Sequence, residues 1–376
     1  MKRSEPLEFF LNYRLVGWGP VIAILSAIGG WPLCVAFALL WPKEFGFAYF
    51  TVLSFFGTLA LGALFWVLLH YAVDAAWSVF IRRIWEHLAC LLMPLVVFSV
   101  PLIFFRFHLW EHWENSMTIS PGLQWLVPVG FLLLLAGSAS WLRRISVRED
   151  GGHPRWVVFA SIPCYAFGFT LISIFAWMPL QGEWISAIWP LYFFAGAALS
   201  SLAVSILIVV WVLPGFHQRI KPDHFHLLGK LLFAFTLFWG YVAFSQYLIV
   251  WYGNLPEETA FFRLRQQGWA QVAGWLLIVG HFLIPFFLLL PRASKARPKF
   301  LAAVSAWLVL MQFVDLCWMI LPPSHNQVLL GALALLISLA AVGGTLILCF
   351  LAWLGNSPLW PVADHRLAEC LSLTDE

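Results

Sequence analysis

At 376 residues, 62% of them hydrophobic and only 10% charged, the chain has a mean hydropathy of +0.87, whereas about a quarter of the residues of soluble domains are charged. This excludes a soluble globular class and indicates a polytopic membrane protein. The formal net charge of +3 carries less information than the position of each charge, and it gives no reason to read a nucleic-acid partner.

The N-terminal stretch MKRSEPLEFFLNYRLVGWG places basic residues ahead of an apolar run that continues to Trp41. With no small-residue cleavage site, the run predicts a retained spanning helix and not a signal peptide. Taking about 20 residues as one crossing, the hydropathy pattern predicts ten helices, at 16–41, 47–73, 88–105, 121–142, 156–178, 186–213, 227–252, 268–291, 299–321 and 328–354. The chain is therefore an all-α polytopic protein, one integral membrane domain over 1–376. Pro32, Pro94, Pro101, Pro128, Pro163, Pro190 and Pro285 fall inside these helices. They predict kinks whose freed carbonyls are satisfied by neighbours.

Alternating loops test the helix count. On one side fall Lys2, Arg3, Arg14, Arg82, Arg83, Arg143, Arg144, Arg148, Arg155, Arg219, Lys221, Lys230, Arg292, Lys295, Arg297, Lys299 and Arg366, leaving Lys43, Arg106, Arg263 and Arg265 on the other. By the positive-inside rule the first side, with both termini, is cytoplasmic. The outer side carries Glu44, Glu111, Glu114, Glu183, Glu257 and Glu258. Its loop RFHLWEHWENS interleaves Trp110 and Trp113 with charge, as a segment lying on the membrane interface or under a partner would. A second outer loop, Gly253 to Gln267, predicts partner contacts through Glu257, Glu258, Arg263 and Arg265.

Ionisable groups inside a membrane are functional candidates by default. Near the cytoplasmic end of helix two, His70 and Asp74 are spaced to pair at i, i+4, either as a helix-end cap or as the mouth of a path. His281 in helix eight lies roughly 20 Å from the outer end at about 1.5 Å per residue. Asp315 in helix nine, with Gln312 three residues before it, is the strongest single candidate. Helices seven to nine are joined by short loops and predict neighbours. Tyr241, Ser245, Gln246, His281 and Asp315 then form a ladder of exchangeable groups, suited to a proton relay or to ordinary interhelical hydrogen bonding. A b-type haem between His70 and His281 is disfavoured by their different depths. Five of the six cysteines lie in apolar segments and none has CxxC or other metal-type spacing, so no metal site is expected. One loose internal echo, HLACLLMPLVVFSVPL from His87 against HLLGKLLFAFTLFWGY from His226, fits two related four-helix units, helices two to five and six to nine.

The segments FSQYLIVWYGNLPEET, QQGWAQVAGW, HFLIPFFLLLPR, QFVDLCWMILPP and PLWPVADHRLAECLSL together resemble one family. It is the ActF-type membrane subunit of alternative complex III, quinone-binding subunit 2 of quinol:cytochrome c oxidoreductase, within the NrfD and polysulfide-reductase membrane subunit superfamily. The resemblance covers helices seven to ten and the tail, and the tail departs from the family pattern at Asp364-His365, where an Asp-Pro pair is expected. It implies ten helices as two four-helix bundles plus two extra helices, in the bacterial inner membrane. It implies as partners a homologous ten-helix quinol-site subunit, an iron-sulfur protein, cytochrome c subunits and small membrane-anchored subunits. Iron-sulfur clusters and c-type haems then belong to those partners and none to this chain, which is a non-redox subunit lining a proton path. Two alternatives stand beside this: a subunit that binds and oxidises quinol itself, and a free-standing secondary transporter, for which paired broken helices are not evident.

Overall fold

A computed structural model of the chain describes residues 18–110, 121–148, 155–182, 184–213, 220–324, 328–357, 364 and 366–372. Among them all regular structure is helical. Ten helices are long and apolar enough to cross a membrane: α1 Gly19–Leu40, α2 Pro42–Val73, α3 Ala76–Phe104, α4 Trp125–Val147, α5 Trp156–Gln181, α6 Trp189–Val212, α7 Pro222–Gly253, α8 Gly268–Leu289, α9 Pro298–Ile320 and α10 Val328–Gly355. The chain is an all-α, multi-pass membrane protein. Unbroken helices are the natural solution in hydrocarbon, because every backbone N–H and C=O is paired within its own segment.

The third helix departs from expectation. It begins at Ala76, so Arg82, Arg83, Glu86 and His87 sit inside it and are each at most 3% exposed. Arg82 and Arg83 are therefore not loop residues. Hydropathy scores each side chain alone and misses that these charges neutralise one another. Trp110 is likewise turned inward, its indole N–H donating to the Ala176 carbonyl at 3.1 Å, while Glu111, Trp113, Glu114 and Glu183 lie outside the described residues. The same holds for Lys2, Arg3, Arg14 and Arg219.

Helices α2 and α6 form the centre, with 78% and 83% of their apolar windows buried against 17% for α1. Around α2 run α3, α4 and α5, each packed on the next; around α6 run α7, α8 and α9 in the same way. The two four-helix bundles meet where α2 crosses α6, and α1 pairs with α10 against the outer side of α2. Close approach needs small residues, since apolar side chains gain little by leaving lipid for protein. At Gly62 of α2 an added Cβ would lie 2.0 Å from the Ala197 carbonyl oxygen of α6. Trp66, one turn further, donates its indole N–H to the Ala198 carbonyl at 3.0 Å. On the α1–α10 seam, Gly30 and Gly344 are in similarly tight backbone contact.

We use "basic end" for the end at which α2 leads to α3, α4 to α5, α6 to α7 and α8 to α9. Four spans widen to π-helical turns, at Ser173–Trp177, Ile208–Val212, Leu277–Leu283 and Leu339–Gly343. The one in α8 ends just before Pro285. Proline has no N–H, so the His281 carbonyl loses its usual i+4 donor, and the wider turn absorbs the mismatch. His281 thus stands in a helix turn of altered register.

Candidate functional site

Asp315 of α9 is 1% exposed, and two neutral donors from two other helices reach it. The Tyr192 hydroxyl of α6 donates at 2.6 Å and the Trp239 indole N–H of α7 at 3.3 Å. Tyr192 comes three residues into α6 and Asp315 five residues before the end of α9, which places both near the end opposite the basic one. Among the described residues no cation forms an ion pair with Asp315. The ring of Trp239 stacks on the His281 imidazole, with ring centroids 4.0 Å apart and 27° between the planes. His281 is fully buried, and neither ring nitrogen has a hydrogen-bond partner among the described residues.

Trp239 touches Asp315 with its N–H and His281 with its π face, so the two titratable groups share one neighbour without a hydrogen bond between them. An indole N–H is a donor only. Proton transfer between Asp315 and His281 therefore needs a water or a shift of Trp239. Gln312, one turn from Asp315 towards the basic end, is 2% exposed and packs its amide against Gly196 of α6.

The other expected relay residues divide. Gln246 is buried and accepts from Ser186 at 2.5 Å, in the connection between α5 and α6. Ser245 is half-buried. Tyr241 is 68% exposed: two residues from Trp239 is about 200° around a helix, so if Trp239 faces Asp315 then Tyr241 points out of the bundle. The structure does not bring Tyr241 into the site. Sequence reading missed Tyr192 and Trp239, the residues that hold Asp315. A tyrosine and a tryptophan in apolar runs look like belt or packing, and only the acceptor they share distinguishes them.

His70 and Asp74 are also placed differently from the expected pair. Helix α2 ends at Val73, and Asp74 turns into the left-handed region (φ 49°), leaving the helix face. Its carboxylate pairs with Arg366 of the tail at 2.9 Å. His70 faces inward, with Nδ1 2.7 Å from the Ser78 hydroxyl and Nε2 3.3 Å from Arg82 Nη1. Arginine cannot accept a hydrogen bond, so Nε2 accepts and Nδ1–H donates.

That histidine borders a second polar cluster, in the first bundle. Glu86 meets Arg82 Nε at 3.3 Å, Arg83 Nη1 at 3.5 Å and the Tyr71 hydroxyl at 2.7 Å. Arg83 also donates to the Ser146 carbonyl of α4 at 2.6 Å, and Arg82 pairs with Asp364 of the tail. His87 Nε2 lies 3.2 Å from the Trp353 carbonyl of α10.

In the connection between α7 and α8, the short helix Pro256–Leu264 carries Glu257 and Glu258 in its first turn, where the helix dipole favours acids. Glu257 and Arg263 are exposed and Glu258 is half-buried. Arg265 is not partner-facing. It is 3% exposed and donates to the carbonyls of Phe261 (2.8 Å), Trp318 (3.0 Å) and Met319 (2.8 Å) and to Gln181 Oε1 (2.9 Å). It caps the ends of two helices with one cation, satisfying carbonyls that have no intrahelical donor. Burial pulls its pKa down to about 9, which leaves it charged at neutral pH. Trp318 and Met319 follow Asp315 by three and four residues, so the guanidinium stands one turn beyond the carboxyl on the same face.

The first bundle holds a small pocket of ≈ 100 Å³ lined mainly by apolar side chains, among them Phe50, Trp110, Trp125 and Trp177. Its two hydroxyls are engaged: Ser54 accepts from Trp177 Nε1 at 2.8 Å and Ser99 donates to the Val96 carbonyl at 2.7 Å. Such a lining suits a hydrocarbon chain better than a quinol ring, which needs polar partners. Among the described residues no three His, Cys, Asp or Glu side chains come together as a metal site. No family model matches the chain, and neither does any curated protein.

Proposed function

We propose that the chain is an integral subunit of a respiratory quinol:cytochrome c oxidoreductase of the alternative complex III type, carrying no redox centre of its own and contributing a proton path and scaffold. In this reading it lies in a bacterial inner membrane with both termini cytoplasmic, beside a homologous quinol-site subunit, an iron-sulfur protein and c-type cytochromes. The observation that carries the proton-path part is Asp315. It is a carboxyl deep among apolar helices, held by a hydroxyl and an indole and not by a cation. Such a group can change its proton without breaking an ion pair, and intramembrane acids that survive in hydrocarbon mark ion and proton routes. His281 lies one ring away on the side of the basic end, and Arg265 one turn away on the other.

The test uses the assembled complex. Purification from native membrane with subunit identification and a haem and iron assay addresses the class: co-purifying cytochromes support it, and a chain isolated alone overturns it. Within the complex, Asp315→Asn keeps the shape and removes the proton site. It should slow or uncouple turnover while haem content stays unchanged. Wild-type quinol oxidation together with an unchanged proton-to-electron ratio would leave Asp315 as a structural hydrogen-bonding residue.

A further inference from the structure

The pocket in the first bundle lies between all four of its helices, with Leu53 and Gly57 of α2, Leu95 of α3, Leu132 of α4 and Phe175 of α5 on its walls. It sits towards the end opposite the basic one. Leu95 precedes the end of α3 at Phe104 by nine residues, Leu132 follows the start of α4 at Trp125 by seven, and Ile172 precedes the end of α5 at Gln181 by nine. At about 1.5 Å per residue the pocket therefore reaches roughly 10–14 Å into the apolar spans. At that depth the surroundings of a membrane protein are hydrocarbon and not water.

Three of the four walls are irregular here. Helix α3 tightens to a 3₁₀ turn at Val100–Phe104, α4 carries Pro128 in the lining itself, and α5 widens to its π-helical turn at Ser173–Trp177. Such departures hold neighbouring helices apart where regular ones would close. The fourth wall is open as well. A Cβ added to Gly57 meets nothing within 4 Å, although Gly62 of the same helix is pressed against the α6 backbone. Aromatic rings cap the gap at its membrane-surface end: Trp110 packs edge-on against Phe50 and Trp125, with centroids 5.6 and 4.8 Å apart, and its indole is fixed on the Ala176 carbonyl.

The lining offers little to a water molecule, because Ser54 and Ser99 are already engaged within the bundle and a buried water needs two to four polar partners. Left empty, the pocket would forfeit dispersion contacts along every wall. The solvent at hand is alkyl chain. Volume sets how much of a chain it takes: an apolar cavity of about 150 Å³ holds the six carbons of benzene, so ≈ 100 Å³ takes about four carbons in a row.

We propose that this pocket is a lipid-tail site, in which the end of one phospholipid acyl chain leaves the bilayer and inserts between α2, α3, α4 and α5 as part of the core of the first bundle. Recognition is by shape and apolar contact, with no headgroup involved. The inference is independent of the respiratory reading.

The experiment uses the full-length protein in phosphatidylcholine nanodiscs whose acyl chains end in a diazirine, with adducts mapped by mass spectrometry after illumination. In the wild type, adducts should fall on the buried lining residues Leu95 and Ile172 as well as on Phe104 and Leu126, which are 78% and 68% exposed. Gly57→Leu fills the pocket with a side chain of the size of the missing chain end. It should abolish the inner adducts and leave those on Phe104 and Leu126 unchanged. Should that variant fail to fold, Val129→Phe narrows the pocket from α4 and should reduce the inner adducts in the same direction. Wild-type adducts confined to exposed residues overturn the site, and so do inner adducts that persist in the filled variants. A last arm adds an isoprenoid quinone or unlabelled phosphatidylcholine at matched low mole fraction. Equal, small losses of inner adducts support the acyl chain, and loss to the quinone alone overturns it in favour of the quinone tail.

Discussion

Asp315 and Glu86 are each 1% exposed and lie in opposite bundles, yet their surroundings have little in common. Glu86 is gripped by two guanidiniums and a tyrosine, while Asp315 is met by a tyrosine and a tryptophan, both neutral. The difference lies in what each carboxyl can do without disturbing the fold. Protonating Glu86 would take a shared carboxylate away from two buried guanidiniums. Protonating Asp315 strands nothing, because its donors turn to a neutral acceptor at modest loss. Burial alone therefore does not mark a proton site; the charge of the partners does.

The largest expected effect breaks this comparison most directly. Glu86→Gln removes the anion from between Arg82 and Arg83 and should destabilise the protein by about 3–5 kcal/mol, the range for removing one partner of a buried ion pair. Asp315→Asn, the same chemical change in the other bundle, should cost about 1 kcal/mol. Thermal denaturation of both variants in one detergent checks the pair, and equal losses would mean that the neutral shell around Asp315 has been misjudged.

Next comes the seam between the bundles. Gly62→Val places a methyl-bearing carbon where the Ala197 backbone already is, and a backbone cannot yield as a side-chain tip can. Overpacking of this kind should cost about 3 kcal/mol and lower the melting temperature accordingly. Gly57→Ala, on the same helix with nothing within 4 Å of the added carbon, is the control and should be neutral or slightly stabilising.

Sequence made the ten crossings legible for a physical reason: hydropathy integrates over about 20 residues, and an isolated histidine or aspartate does not erase the signal. It misplaced the start of α3 because Arg82, Arg83, Glu86 and His87 together do erase it. Asp315 and His281 stood out as ionisable groups in apolar runs. Their relation to each other did not, because end-counting placed His281 lowest and Asp315 nearer the outside, while Trp239 on a third helix bridges them. Arg265 looked like a surface charge beside Arg263 and is instead the cap of two helix ends. In each case the missing information was the identity of a partner distant in sequence.

A smaller effect sharpens the description of the shell. Tyr192→Phe deletes the shorter of the two hydrogen bonds to Asp315 and leaves the ring packing in place. It should cost about 1–2 kcal/mol, and if Asp315 carries protons it should also move the pH dependence of turnover in the assembled complex. A structural role alone would lower the melting temperature without moving that profile.

The smallest expected effect is at Tyr241, and it separates two ways of reading the same helix. By residue type Tyr241 belongs with Ser245 and Gln246 as a relay member; by position it is 68% exposed and on the far side of α7 from Trp239. Tyr241→Phe removes only the hydroxyl. If the geometry decides, stability should change by less than about 0.5 kcal/mol, as for other substitutions away from buried networks, and turnover of the proposed complex, with its proton-to-electron ratio, should match wild type. Trp239→Phe in the same background removes the N–H donated to Asp315 and shrinks the surface stacked on His281, so its effect should exceed that of Tyr241→Phe several-fold in both measurements. The reverse ranking would place the exchangeable groups on the outer face of α7 and move the site away from Asp315.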